Sequence, residues 1–166
     1  MANTQAMCTS FMSELMTATN NFGTAPTRGT SAADTFKAAL YLTTATVDAS
    51  TTAYSATNEV SGTNYTAGGV NVGSWNAPTP TNSSATAGTA FTTPAASITY
   101  GTSGSPVTLS TAFNAVLIFN NTQGSSGNRP AVSVHTFGSQ TITAGVFTLT
   151  MPPNTTSAAL LRLATT

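Results

Sequence analysis

Residues Phe36, Ala38, Leu40 and Leu42 alternate with Lys37, Ala39 and Tyr41. Successive side chains of an extended chain point to opposite faces, so this alternation predicts a half-buried strand over Thr35–Thr43. Similar runs span Ala131–Phe137 and Val146–Met151, with shorter pieces at Thr89–Thr92, Ser97–Tyr100, Val107–Leu109, Asn114–Phe119 and Thr141–Thr143. Glycines punctuate them, and Pro130 stands at a strand entry, where its missing N–H costs no ladder bond. Residues 59–70 read as short extended pieces joined by Gly turns, Asn76–Ala87 as a long surface loop, and Ala158–Leu163 as a last apolar segment. Many short strands with regular turn signals predict a mainly β chain, an antiparallel β-sandwich or jelly-roll-like domain. No repeat of about 20–50 residues recurs, so a solenoid is not expected.

One segment departs from this period. Met7, Phe11 and Leu15 fall four apart, with Met12 and Met16 one residue on, which is helical spacing. A short N-terminal helix is predicted over Thr9–Ala18, with Thr9 as N-cap. Asn20, Asn21 and Gly23 end it, and Phe22 is expected to fold back on its apolar face. Thr24–Asp34 reads as an irregular arm. The division expected is therefore 1–34, helix and extended arm, and 35–166, β-sandwich.

The chain carries four Lys/Arg and four Asp/Glu in 166 residues, 5% charged, where an ordinary soluble domain has about a quarter. A monomer normally stays soluble by coating itself with charge, so an exterior of Thr, Ser, Ala, Asn and Gly suits contact with other protein. Net charge is zero, which supplies no footprint for a phosphate backbone or an anionic membrane. Neither nucleic acid nor membrane is an expected partner. The longest apolar run, Ala115–Phe119, is far short of the ~20 residues that cross a bilayer. The opening residues lack the pattern of a secretory signal, so synthesis in a cytoplasm is expected. Cys8 is the only cysteine, which excludes an internal disulfide and any Cys-based zinc site.

Residues suited to catalysis are sparse. His135, the only histidine, sits on a predicted strand with no nucleophile or carboxylate placed beside it by sequence, and reads as a hydrogen-bonded strand residue. Glu14, Asp34, Asp48 and Glu59 show neither the pairing of a hydrolase nor calcium-loop spacing. Ion pairs with Arg28, Lys37, Arg129 or Arg162 at a surface or an interface are the expected role. Gly101–Ser105 and Gly124–Gly127 lack the lysine of a phosphate loop, so they are turns. No enzyme, cofactor or metal is expected. Trp75 with Tyr41, Tyr54, Tyr65 and Tyr100 offers the one alternative, a platform on which sugars stack.

Cys8-Thr9-Ser10-Phe11 with Glu14-Leu15, then Asn21-Phe22-Gly23 and Asp34–Tyr41, then Thr52–Gly69, form an opening that resembles a group of small structural proteins of tailed bacteriophages. Ala115–Asn120, Phe137-Gly138 and Phe147–Pro152 match the same group, and Val70–Pro106 departs from it. The resemblance implies a virion component and carries no catalytic residue. The expected function is a capsid decoration, or cement, protein: a homo-oligomer, a trimer, bridging major capsid subunits on the outer face of the head. A neck, tail or fibre-associated subunit and a receptor- or glycan-binding module are the alternatives. Expected interface residues are Met7, Phe11, Leu15, Phe22, Arg28, Asp34 and Trp75. The helix and arm are expected to act as a latch that can be removed from a sandwich that remains folded.

Overall fold

A computed structural model of the chain describes residues 3–17, 19–22, 33–81, 88–124 and 128–164. Its elements are β1 (Ala6–Met7), α1 (Thr9–Met16), β2 (Phe36–Leu42), β3 (Val70–Asn71), β4 (Thr79–Thr81) and β5 (Thr89–Thr92). They continue with β6 (Ile98–Tyr100), β7 (Val107–Asn120), β8 (Ala131–Gly145), β9 (Phe147–Leu149) and β10 (Leu161–Ala164). Three antiparallel sheets result: five strands in the order β1-β8-β7-β2-β3, three in the order β10-β5-β4, and the pair β6-β9. The architecture is the mainly β, sandwich-like one expected, with a single short helix among the described residues.

The large sheet is the spine. Ala39 lies opposite Leu117, Leu117 opposite Val134, and Val134 opposite Ala6, a row running across four strands. Strand β2 keeps its expected bounds to within one residue but is not half-buried: five of its seven residues are buried, from both sides. On one side Phe22 stacks on Phe36 at 4.5 Å and Trp75 meets both rings edge-on. On the other, Tyr54 stacks on Phe119, the register partner of Lys37, also at 4.5 Å. Residues 43–60 thus cover the face that alternation alone assigns to water, and Ala45, Val47 and Val60 are buried beneath them.

Two expectations of short strands give way to long ones. Val107–Leu109 and Asn114–Phe119 belong to one strand of 14 residues, and Ala131–Phe137 and Thr141–Thr143 to one of 15. The β7–β8 ladder shifts register between Val107 and Leu109, Leu109 and Phe113, Phe113 and Ala115, and Ile118 and Phe119. The first and last of these offset the strands by one residue, which reverses the face the next side chain takes, and the middle two by two residues, so alternation is interrupted while the strand continues. The loop expected at Asn76–Ala87 likewise contains β4, which pairs with β5; residues 82–87 lie outside the described part. Pro80 is accommodated because β4 is an edge strand.

Helix α1 starts as expected but ends at Met16, and its N-cap is Cys8 rather than Thr9. Thr9 is already helical, and its free N–H donates to the Ala49 carbonyl at 2.8 Å. That backbone partner does what a capping hydroxyl would do. Phe11, 1% exposed, joins the same hydrophobic core as β2, β7 and β8, and β1 adds a strand to β8. The N-terminal segment, expected to act as a latch, thus supplies a strand to the large sheet and a phenylalanine to its core. At the junction of β3 with β2, Gly69 has φ +67°, and a Cβ there would overlap the Ala38 carbonyl. Only glycine fits both constraints.

Candidate interaction surface

Among the described residues one charged side chain, Glu59, is buried, and Glu14, Asp34, Lys37, Asp48 and Arg129 are half-buried. Arg28 lies outside the described residues, and of the remaining seven charged side chains only Arg162 is exposed. Glu59 is buried and accepts from Tyr54 Oη at 2.6 Å, Tyr65 Oη at 2.7 Å and the Gly68 N–H at 2.8 Å. Two phenols and an amide thus replace the water a carboxylate would hold. Burial, then the adjacent carboxylate, pushes both Tyr54 and Tyr65 above the ordinary phenol range. Asp48 accepts from the N–H and hydroxyl of Ser50, and these bonds hold its carboxyl below the usual value.

Asp34, expected at an interface and in an ion pair, closes an internal clamp among the described residues. Among the described residues its carboxylate accepts from the Asn21 N–H at 2.9 Å, Asn120 Nδ2 at 2.8 Å and Gln123 Nε2 at 3.1 Å. The Asp34 N–H returns a bond to the Asn21 carbonyl at 3.0 Å. Asn120 Nδ2 also donates to Asn20 Oδ1, and Asn20 Nδ2 to Glu14 Oε2 at 3.0 Å. A chain of amides therefore links the helix, both ends of the 22–33 segment and the end of β7. Burial raises the Glu14 pKa, against the opposing effect of the Asn20 bond.

Four of the expected interface residues do come together. Met7, Phe11, Leu15 and Phe22 form one wall of a cavity of about 100 Å³. Its other wall is Pro78, Phe91, Leu161 and Leu163, from β5, β10 and the approach to β4. The lining is almost wholly apolar. At its rim Leu163 is 46% exposed, and on the helix Met12 and Met16 are 50% and 83% exposed. These are three of the four exposed large hydrophobics among the described residues. The helical stripe was legible from its four-residue spacing. The opposing wall was not, because nothing in Ala158–Leu163 says that it pairs with a strand some 70 residues earlier, Leu161 opposite Thr92.

Trp75 lies elsewhere: it is 6% exposed and packs on Phe22 and Phe36, with no ring face open to a ligand. His135 Nε2 and Ser133 Oγ are 2.9 Å apart, the spacing of a base and a hydroxyl nucleophile, but Ser133 is 1% exposed. Burial lowers the imidazole pKa to about 4, so at neutral pH it is the uncharged partner of a hydroxyl. The Cys8 thiol, fully buried, is pushed up to about 12 by burial and then by Glu14 and Asp48. Among the described residues no His, Cys, Asp or Glu cluster is arranged to hold a metal ion, and no helix is long and apolar enough to cross a membrane. Comparison with family models, with curated proteins and with solved structures finds no match to this chain.

Proposed function

We propose that the chain is a structural protein of a tailed-bacteriophage virion, a capsid decoration protein that stabilises the head by bridging major capsid subunits from outside. The reading starts from the resemblance in the first 69 residues and in 115–152. One structural observation supports it most: an exterior poor in charge, to which the seven described charged side chains contribute one that is fully exposed, Arg162, and five that are half-buried. Such a surface has little ionic hydration to lose when another protein covers it. Apolar burial of about 25 cal/mol per Å², repeated at every copy, then reinforces a shell without any chemistry. The groove between α1 and β10, with Leu163 exposed at its rim, and the exposed Met12 and Met16 on the helix are where that burial would be greatest. Assembly inside the bacterial host and residence on the capsid exterior follow from this role.

The test is occupancy. Purified chain is mixed with head shells that lack it, unbound protein is removed, and density for the chain is sought in images of the particles. Regular density over the whole outer face supports decoration, density at one vertex supports a neck or tail subunit, and no density overturns both. The glycan-binding alternative gains nothing from the structure, since Trp75 has no open face.

A further inference from the structure

The three-stranded sheet ends at β10, which has no neighbour on its outer side among the described strands. Natural sheets guard such edges with charge, proline or a bulge, because unpaired N–H and C=O groups recruit another strand. The opposite edge, β4, has Pro80. The β10 edge reads Leu161-Arg162-Leu163-Ala164, and its one charge is drawn back: Arg162 Nη1 donates to the Ser157 carbonyl at 2.8 Å and to that of Thr156 at 3.3 Å. Leu163 stands exposed at the rim of the apolar groove.

We propose that two copies of this chain join edge to edge through β10, antiparallel and centred on Leu163, making one six-stranded sheet in the order β4-β5-β10-β10-β5-β4. Charge selects both the partner and the register. Leu161 and Leu163 share the groove face, so a two-fold pairing that keeps both grooves on one face is centred on Arg162 or on Leu163. Centring on Arg162 sets two guanidinium ions directly opposite one another, which is destabilising. Centring on Leu163 sets each Arg162 opposite Ala164 of the second copy and the two Leu163 side chains against each other. The edge calls for an extended strand with an open outer edge and little charge, and the chain itself carries one in β10. Like surfaces usually repel through net charge, whereas here the net charge is zero and the one charge on β10 is already bonded within its own copy.

This pairing deepens the assembly reading, on which it rests, and makes the smallest unit a dimer in place of the trimer expected from the sequence. The experiment measures sedimentation of the purified chain, without shells, across a range of concentrations. It also compares Leu163→Cys with Arg162→Cys on non-reducing gels after mild oxidation. Directly opposed Cβ atoms of a sheet pair lie about 4.5–5.5 Å apart, near disulfide range. The expected results are a concentration-dependent dimer, a monomer for Leu163→Lys with an unchanged circular dichroism spectrum, and covalent dimer from Leu163→Cys but not from Arg162→Cys. A chain that stays monomeric throughout, or a dimer in which Arg162→Cys cross-links as readily as Leu163→Cys, overturns the proposal. Dimers that fail to bind shells would leave the pairing intact and remove the decoration role.

Discussion

The side-chain amide of Asn120 donates to the Asp34 carboxylate at 2.8 Å across 86 positions of sequence, and its second hydrogen goes to Asn20 at 2.9 Å. Both protons of one –NH₂ group are thus spent fastening the N-terminal segment to the end of β7. Its carbonyl, Oδ1, accepts from the N–H groups of Thr122 and Gln123 and shapes the turn that leaves the strand. Asn120→Ala removes all four bonds and strands Asn20 Oδ1 in a buried position. It should lower unfolding free energy by about 2–4 kcal/mol, since a buried polar group left without its partner costs about 1–3 kcal/mol by itself. Urea denaturation of the two proteins measures this. Asp34→Asn, which keeps one acceptor oxygen, should lose less.

Glu59 gives a second stability test. Its two oxygens accept three hydrogen bonds, and Glu59→Gln replaces one of those oxygens with an –NH₂ group that cannot accept. A loss of about 1–3 kcal/mol is expected. Tyr54→Phe in the Glu59→Gln background should cost less than Tyr54→Phe alone, because the hydroxyl it deletes no longer has its partner. A double-mutant cycle on denaturation midpoints reads the difference.

His135 predicts the direction of acid sensitivity. Its folded pKa of about 4 is below the value of 6.5 for an unperturbed imidazole, so the unfolded chain binds the proton first as pH falls. The stabilisation is complete above pH 6.5 and is lost progressively as the pH drops towards 4, up to about 3 kcal/mol from a shift of this size. Unfolding free energies at pH 7, 5.5 and 4.5 should converge between wild type and His135→Gln as the solution is acidified. Comparison with this variant separates the imidazole from Asp48, whose lowered pKa also removes stability at acid pH but leaves both proteins alike.

Cys8 should behave as an inert thiol. With no accessible surface and a pKa pushed up to about 12, it offers almost no thiolate at neutral pH. Ellman's reagent should release no colour from the native chain within minutes and one equivalent after denaturation, the single cysteine of the sequence.

What the sequence made legible depends on how local the cause is. Strand β2 and helix α1 could be placed to within a residue or two because the spacing of Phe36, Ala38 and Leu40, and of Met7, Phe11 and Leu15, is set inside each element. The continuity of β7 and β8 was hidden because their bulges depend on a partner strand, and a change of phase looks like an end. The cap of α1 escaped for the same reason: the acceptor for Thr9 is the carbonyl of Ala49, 40 positions later. Of the expected interface, Met7, Phe11, Leu15 and Phe22 lie together on one groove, while Asp34 and Trp75 serve internal contacts and Arg28 falls outside the described residues. Leu161 and Leu163, which complete the groove, carry no mark of this in their own neighbourhood, since only the pairing of β10 with β5 brings them there.

Strand β1 is synthesised long before its partner β8, yet Ala6 has its place opposite Val134. That strand and the phenylalanine of the helix behind it wait, uncovered and adhesive, until β8 has been translated. Apolar surface left open for that interval is the kind that aggregates or that chaperones cover.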